Sequence, residues 1–164
     1  MTYMRTNPYK IYVDTSVLSA YFDLSKPVRQ IMTKKWFEND MALFDPYVST
    51  MVLDEIENNS AEVLKKEMFA LLDSFSFTVL ALNQGINDLS SEYRKAVIKN
   101  QVSDSLHIAT ASYYGMGAIV SWNFKHIVNL KTINAIHQMN LNNNYGILEI
   151  LTIEQLGGHK YGNL

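Results

Sequence analysis

The sequence predicts a three-layer α/β/α fold around a central, mainly parallel five-stranded sheet. Three observations support this prediction. The length of 164 residues suits one domain, short apolar segments alternate with longer segments of helical pattern, and there are five such short segments, one for each strand. Parallel strands joined by helices are covered on both faces, which agrees with the apolar character of the short segments. We expect one domain over residues 1–156 and a polar C-terminal tail over residues 157–164.

Each predicted element rests on a local pattern. Short apolar runs, the first of them aromatic and β-branched, predict strands at residues 10–13, 43–48, 78–82, 118–121 and 146–151. Apolar residues three or four positions apart predict helices, in order at residues 15–22, 27–39, 50–58, 61–75, 85–99, 104–114 and 129–139. The helix over residues 104–114 is apolar nearly all round, so we expect it to be buried.

Capping residues predict where two of the helices begin, and apolar stripes predict which of their faces are buried. Ser25 predicts the N-cap of the second helix, and Ser103 predicts the N-cap of the helix that starts at the next residue. The second and fourth helices carry apolar stripes, over residues 28–36 and 63–72. We expect both stripes to face the core, and a homodimer surface is the alternative.

The composition excludes several classes of protein. The absence of cysteine excludes disulfides, thiolate-bound zinc and thiol catalysis, and it suits a cytoplasmic location. The longest apolar run, residues 68–72, is far shorter than the roughly 18 residues that a membrane span needs, and we identify no export signal. With 14 basic and 16 acidic residues the net charge is −2. Any contact with nucleic acid must therefore be local.

Three acidic residues stand at the starts or ends of elements in otherwise apolar sequence: Asp14, Glu55 and Asp104. Asp14 directly follows the first strand, and in parallel sheets the ligand site lies beyond the carboxyl ends of the strands. Carboxylates about 4 Å apart repel by roughly 4 kcal/mol at an effective dielectric constant near 20. A cluster of these acids would be partly protonated or hold a cation. Taken singly, Asp14 also fits a helix N-cap, Glu55 a solvated helix position, and Asp104 a first-turn carboxylate favoured by the helix dipole.

The chemistry of the available side chains favours a hard cation. The four histidines are scattered and cysteine is absent, so Mg²⁺ or Mn²⁺ suits the acids better than zinc does. Ser121 and Asn123 follow the fourth strand and fall at the same edge as Asp14. An aspartyl-phosphate phosphatase is excluded because Ser16 stands where that class needs a second acid.

Three segments carry a resemblance to a known family: DTS from Asp14, VLDEI around Glu55, and DSLHIATASYYGMGAIVSWNFKHI from Asp104. Together they resemble the PIN-domain ribonucleases, particularly the VapC-like toxins of bacterial toxin–antitoxin pairs. The resemblance extends over about residues 11–151. It implies a PIN-like fold and a metal-dependent endoribonuclease whose acids hold Mg²⁺ or Mn²⁺ at the carboxyl edge of the sheet.

The resemblance assigns roles residue by residue. Asp14, Glu55 and Asp104 match the family's metal-binding acids, and Thr15 matches the hydroxyl beside the first of them. Glu55 is chosen over Asp54 because the neighbouring apolar residues fix the register of the family pattern. The resemblance implies that Asp14 and Asp104 bind the metal directly, whereas Glu55 acts through a bound water.

The fourth site position departs from the family pattern. Members often carry an acid where this chain has Asn123, whose carbonyl can bind a metal or a water but adds no charge. We therefore expect one firmly bound metal, and a second only when substrate phosphate is present. His107 is either a satisfied core histidine or a site residue, Ser121 lies at the site edge, and Lys125 either contacts phosphate or is solvated.

The resemblance also implies partners. RNA is the expected substrate, a cognate antitoxin is the expected protein partner, and homodimers are common in the family. The competing interpretation is a PIN-like scaffold that binds RNA or a protein without cutting, which Asn123 and the mildly acidic charge favour.

Overall fold

The computed structural model of the protein describes residues 8–158. Within this range the strands are β1 Tyr9–Val13, β2 Phe44–Ser49, β3 Thr78–Leu80, β4 Ala118–Val120 and β5 Glu149–Leu151. The helices are α1 Thr15–Ala20, α2 Pro27–Asn39, α3 Thr50–Glu57, α4 Glu62–Ser74, α5 Gln84–Ala96, α6 Val102–Tyr113, α7 Leu130–Asn142 and α8 Ile153–Gly158. A single 3₁₀ turn, Met41–Leu43, precedes β2.

The strands form one sheet in the order β3-β2-β1-β4-β5, and every neighbouring pair is parallel. Helices α1 to α4 contact one another and α8 contacts α2, whereas α5 packs against α6 and α7. Right-handed crossovers place the helices before and after the return to the sheet centre on opposite faces. The predicted α/β/α fold with a parallel five-stranded sheet is confirmed.

The strand order creates a switch point at the centre of the sheet. From β1 the chain proceeds outward to β2 and β3, then returns to β4 on the other side of β1. Val13 and Val120 are register partners at the ends of these central strands, and the Asp14 N–H donates to the Val120 carbonyl at 3.0 Å. The two loops that leave β1 and β4 diverge above this point, which makes it the expected ligand position.

The core lies around the two central strands. Ile11, Tyr12 and Val13 of β1 are fully buried, and so are all three residues of β4. Helix α6 contributes an unbroken buried run from His107 to Ser112, so the predicted burial of this helix is confirmed. This packing makes the carboxyl ends of β1 and β4 a rigid base for the residues that follow them.

Neither of the two predicted serine caps occupies an N-cap position, and both serines make other hydrogen bonds. The residue preceding α2 is Lys26, and the Ser25 hydroxyl instead donates to Asp23 at 2.5 Å. Helix α6 begins at Val102, two residues earlier than predicted, which places Ser103 inside its first turn with its hydroxyl bonded to Glu55. Serine caps and serine turns use the same local hydrogen bonds, so the sequence does not separate them.

The apolar stripes are only partly covered. Val28, Ile31 and Val63 are 73%, 52% and 72% exposed, whereas Trp36 and Met68 on the same two helices are buried. The expectation that each whole stripe faces the core is therefore wrong at these three positions. Periodicity shows which residues share a face, but the ends of a helix can extend past the surface that covers its middle.

The C-terminal part adds one unpredicted element. Helix α8 starts directly after β5, buries Ile153 and Leu156, and extends two residues past the predicted domain boundary at residue 156. The rest of the predicted polar tail, residues 159–164, lies outside the described residues. No helix within residues 8–158 is both long enough and apolar enough to span a membrane.

Candidate functional site

Asp14 occupies the switch point between β1 and β4. Its side chain is 7% exposed, and its Oδ2 accepts hydrogen bonds from Ser16 Oγ and Ser121 Oγ, both at 2.7 Å. Asp14 precedes the first residue of α1, yet its carboxylate makes no capping bond to that helix. Asp14 therefore occupies the N-cap position of α1, as the alternative interpretation of the sequence expected, but its carboxylate is oriented by two hydroxyls and does not cap the helix.

The same hydroxyls hold the loop that follows β4. Ser16 Oγ accepts from the Trp122 N–H at 3.0 Å, and Ser121 Oγ accepts from the Asn123 N–H at 3.0 Å. The loop is thus fixed directly to the groups that orient Asp14. The sequence places Ser121 at this edge but does not indicate Ser16, whose hydroxyl donates to the carboxylate two residues earlier.

Glu55 meets His107 from the neighbouring helix. Glu55 Oε1 lies 2.6 Å from His107 Nε2, and the Ser103 hydroxyl donates to the same oxygen at 3.2 Å. His107 Nε2 also lies 3.4 Å from Asp14 Oδ1. By contrast Asp54 is exposed, so the choice of Glu55 within this acidic segment agrees with the geometry.

A buried chain of hydrogen bonds supports His107 from behind. The Tyr12 hydroxyl lies 2.7 Å from His107 Nδ1 and 2.7 Å from Ser49 Oγ. A buried tyrosine hydroxyl normally finds such partners. When His107 is charged, both ring nitrogens donate, so Tyr12 accepts from Nδ1 and donates to Ser49. Sequence analysis missed Tyr12 and Ser49, since a tyrosine in a buried strand signals only that some partner exists.

Charge interactions couple Glu55 and His107. Burial alone would raise the pKa of Glu55, but the hydrogen bond and charge of His107, helped by Ser103, outweigh it and lower that pKa below its usual value. Burial would likewise lower the pKa of His107, but Asp14, Glu55 and Asp104 together raise it. We call Asp14, Glu55 and Asp104 the acid cluster. The raised pKa of His107 favours a protonated imidazole beside these acids, which offsets their mutual repulsion.

Asp104 lies in the first turn of α6 and is paired with Asn123. The Asn123 amide donates to Asp104 Oδ1 at 3.1 Å, and its own carbonyl accepts from the His126 N–H at 3.0 Å. Burial and the charge of Asp14 raise the pKa of Asp104, although the two histidines and Asn123 act in the opposite direction. The amide at position 123 thus supplies a donor where an acid would add repulsion.

Thr15 and Lys125 have different environments. Thr15 Oγ1 is buried without a hydrogen-bond partner among the described residues, although its nearness to Glu55 contributes to the lowered pKa of that carboxyl group. An orphaned hydroxyl in a buried acidic site is a feature that a bound water or ion would explain. Lys125 is exposed on the loop after β4 and, together with His126, lines a cleft beside the acid cluster.

Only two of the three acids in the acid cluster, Asp14 and Asp104, have carboxylate oxygens that suit a divalent metal. Among residues 8–158, no group of three or more carboxylates, histidines or cysteines is arranged to hold a metal ion. Mg²⁺ needs only one or two carboxylates, with water and substrate phosphate completing its shell. Asp14 Oδ1 makes only the 3.4 Å contact with His107, and Asp104 Oδ2 makes no hydrogen bond within the described part of the chain. These two carboxylate oxygens and the Thr15 hydroxyl are oxygen donors of the kind that such an ion prefers.

The fold and the acid cluster define a three-layer α/β protein with a carboxylate site at its topological switch point. Residues 11–124 match the PIN domain, which is more than half of the chain. The protein belongs to the PIN domain family. The match ends with the loop after β4, short of residue 151, to which the resemblance was expected to extend.

Two solved structures have a similar fold. One is the Sarcin-Ricin loop cleaving toxin VapC20 of Mycobacterium tuberculosis, at 16% identity and a TM-score of 0.52, with 71% of this chain and 92% of that chain covered. The other is VapBC2 of Rickettsia felis bound to a DNA fragment from its promoter, at 12% identity and a TM-score of 0.52, with 87% and 98% covered. A comparison with curated protein sequences gave no significant match.

Proposed function

We propose that this protein is an endoribonuclease that hydrolyses RNA phosphodiester bonds and acts as the toxin of a toxin–antitoxin pair. The observation that carries the proposal is the placement of Asp14, Glu55 and Asp104 around His107 at the switch point of a PIN domain. The similarity of the fold to VapC20 and VapBC2 supports the toxin assignment. RNA is the proposed substrate and a cognate antitoxin is the proposed partner.

Asp14 and Asp104 are the proposed ligands of one divalent metal, Mg²⁺ or Mn²⁺. When bound, such an ion would activate water for attack on the phosphodiester and stabilise charge on the phosphoryl oxygens. Ser16 and Ser121 orient Asp14 for this role, and Asn123 orients Asp104. We also propose that the Thr15 hydroxyl contributes to this metal site, through a bound water or the ion itself.

Glu55 is held differently from the other two acids. His107 and Ser103 both bind its Oε1, which favours an indirect role through a water rather than direct coordination. His107 in turn is fixed by Tyr12, so it positions Glu55 from a buried and rigid support. His107 is therefore proposed as a positioning residue.

A PIN scaffold that binds RNA or a protein without cutting is the second candidate. It is favoured by Asn123, which donates to Asp104 and gives the site one carboxylate fewer than many family members have. A homodimer is compatible with either candidate, since Val28, Ile31 and Val63 remain exposed.

An RNA cleavage assay separates the two candidates. Wild type with Mn²⁺ should cut an RNA mixture, and chelator should stop the reaction. Asp14→Asn and Asp104→Asn should each lower the rate by at least about a hundredfold, since removing a group that stabilises transition-state charge costs that much or more. Asp54→Asn removes an exposed acid from the same helix as Glu55 and should cut like wild type. Cleavage that survives both site variants would remove the nuclease assignment of the acid cluster.

A further inference from the structure

Two adjoining clefts near the acid cluster are lined by basic side chains. The nearer one, of about 260 Å³, is lined in part by Lys99, Lys125, His126 and Lys131. The farther one, of about 480 Å³, shares Lys99 and adds two further basic residues, Arg94 and Lys95. The loop between α5 and α6 contributes residues to both clefts. We refer to both together, with these six residues, as the basic cleft.

The basic cleft concentrates positive charge in a chain whose net charge is −2. Its five lysine and arginine residues are more than a third of the 14 in the sequence. Among the described residues, neither lining includes an acid and none of the five cations forms a salt bridge. Unpaired like charges on one surface create a potential that attracts an anionic ligand.

The basic cleft adjoins the acid cluster. The His126 N–H donates to Asn123 Oδ1, and the Asn123 amide donates to Asp104. Gln101, another lining residue, immediately precedes helix α6 and stands three positions before Asp104. A polymer whose reacting phosphate lies at Asp104 could therefore extend its neighbouring phosphates along the basic cleft.

We infer that the basic cleft binds backbone phosphates of one RNA strand and sets its path away from the acid cluster, an inference that rests on the proposed ribonuclease function. The acid cluster repels a polyanion, so binding needs compensating cations close by. Lys99, Lys125 and Lys131 are exposed and supply them. The separation of the binding cations from the reacting acids explains how a mildly acidic protein can hold RNA. The extent of the cleft suits a polymer better than a single small anion.

The test compares two triple variants of equal charge. Lys99→Gln, Lys125→Gln and Lys131→Gln are combined in one chain, and Lys26→Gln, Lys35→Gln and Lys66→Gln are combined in the control. All six lysines are exposed, so both chains should melt like wild type. Fluorescence anisotropy measures binding of a labelled single-stranded RNA in chelator, over a series of KCl concentrations.

We expect the cleft variant to bind at least about tenfold more weakly at moderate salt. The slope of log affinity against log salt should become shallower by about 2, since each lost phosphate contact on a single strand contributes about 0.7. The control should keep the wild-type slope. Equal losses in both variants, an unchanged cleft variant, or no RNA binding by wild type would each overturn the inference. Equally strong displacement of RNA by polyglutamate would assign the cleft to an acidic protein instead.

An RNA cleavage assay on the same proteins distinguishes a failure of the RNA-binding surface from a failure of the proposed ribonuclease function. If wild type cuts RNA with Mn²⁺ and the cleft variant cuts equally well at subsaturating RNA, the basic cleft is not on the substrate path. If wild type cuts no RNA but the cleft variant loses binding as expected, the nuclease proposal fails whereas the RNA-binding surface stands.

Discussion

His107 Nε2 and Glu55 Oε1 lie 2.6 Å apart although 52 residues separate them in sequence. This contact joins α3 to α6 directly below the carboxyl edge of the sheet. Because the pKa of His107 is raised and that of Glu55 is lowered, the pair favours an imidazolium and a carboxylate. Repulsion among the acids alone would make the removal of Glu55 stabilising, whereas the contact with His107 makes it destabilising.

Glu55→Gln should destabilise the protein most in mildly acidic solution. The depressed pKa of Glu55 gives stability that is present above its unfolded value of about 4.3 and is lost as the pH falls through the lowered folded value. The raised pKa of His107 gives stability that is present below its unfolded value of about 6.5 and is lost as the pH rises through the raised folded value. The loss on substitution should peak between these two unfolded values.

The size of this effect is limited by the 35% exposure of the Glu55 side chain. We expect about 1–2 kcal/mol, the lower part of the usual range for hydrogen bonds to charged groups. Urea unfolding in chelator, repeated from about pH 4 to about pH 8, measures it. Asp54→Asn is the matched control and should change little at any pH. A flat difference across the pH range would show that the ion pair does not form.

Tyr12→Phe should destabilise the protein and weaken cleavage. The substitution leaves His107 Nδ1 and Ser49 Oγ buried with one partner fewer each, and an unsatisfied buried polar group costs about 1–3 kcal/mol. Thermal melting and the cleavage rate at saturating RNA measure the two effects. Tyr47→Phe removes a half-buried hydroxyl that donates to Asp45, and it should leave the cleavage rate unchanged. Wild-type cleavage by Tyr12→Phe would show that Glu55 needs no support from this chain of bonds.

The sequence predicted the parts of the site that depend on strand connectivity. Asp14 ends one central strand and Ser121 ends its neighbour, and parallel pairing alone brings such residues to one edge. The acid register at Glu55 also followed from the pattern of apolar neighbours. These features depend only on the order and direction of the elements. The alternation of strand and helix patterns in the sequence is enough to predict both.

The parts that were not predicted depend on side-chain conformation or on what covers a surface. Whether Ser103 caps its helix or reaches Glu55 depends on a two-residue shift of the helix start, which local pattern does not resolve. Whether Val28 is buried depends on the presence of a neighbouring element beyond the end of α2. The place of Tyr12 in the site depends on a partner 95 residues away.

Asp104→Asn should stabilise the protein in chelator and abolish its response to metal. The pKa of Asp104 is raised, so its ionised form is disfavoured in the fold at neutral pH, and removing the charge relieves that cost. An asparagine oxygen can still accept from Asn123. We expect a gain of a few tenths of a kcal/mol to about 1 kcal/mol.

Melting with and without Mn²⁺ tests both halves of this prediction. Wild type should gain stability with Mn²⁺ because the ion binds the folded state, whereas Asp104→Asn should gain little. Asp73→Asn, an exposed acid on α4, should respond to Mn²⁺ like wild type. An equal response in Asp104→Asn and wild type would exclude Asp104 as a metal ligand.

Asn123→Asp should lower stability in chelator and raise the affinity for metal. The new carboxylate can still accept from the His126 N–H, but it cannot donate to Asp104, and the lost hydrogen bond is replaced by repulsion. We expect a loss of about 1 kcal/mol without metal, since one hydrogen bond has that net value. A carboxylate binds a hard cation more strongly than an amide does, so half-maximal cleavage should need less Mn²⁺.

The control for position 123 adds the same charge elsewhere. Asn134 is exposed on α7, and Asn134→Asp should change neither the stability in chelator nor the Mn²⁺ requirement. Cleavage is measured over a Mn²⁺ titration at subsaturating and at saturating RNA. A raised RNA requirement with an unchanged Mn²⁺ requirement would mean that the added charge repels the substrate phosphate rather than binding metal. If Asn123→Asp behaves like Asn134→Asp in every measurement, Asn123 neither binds metal nor orients Asp104, and it lies outside the working site.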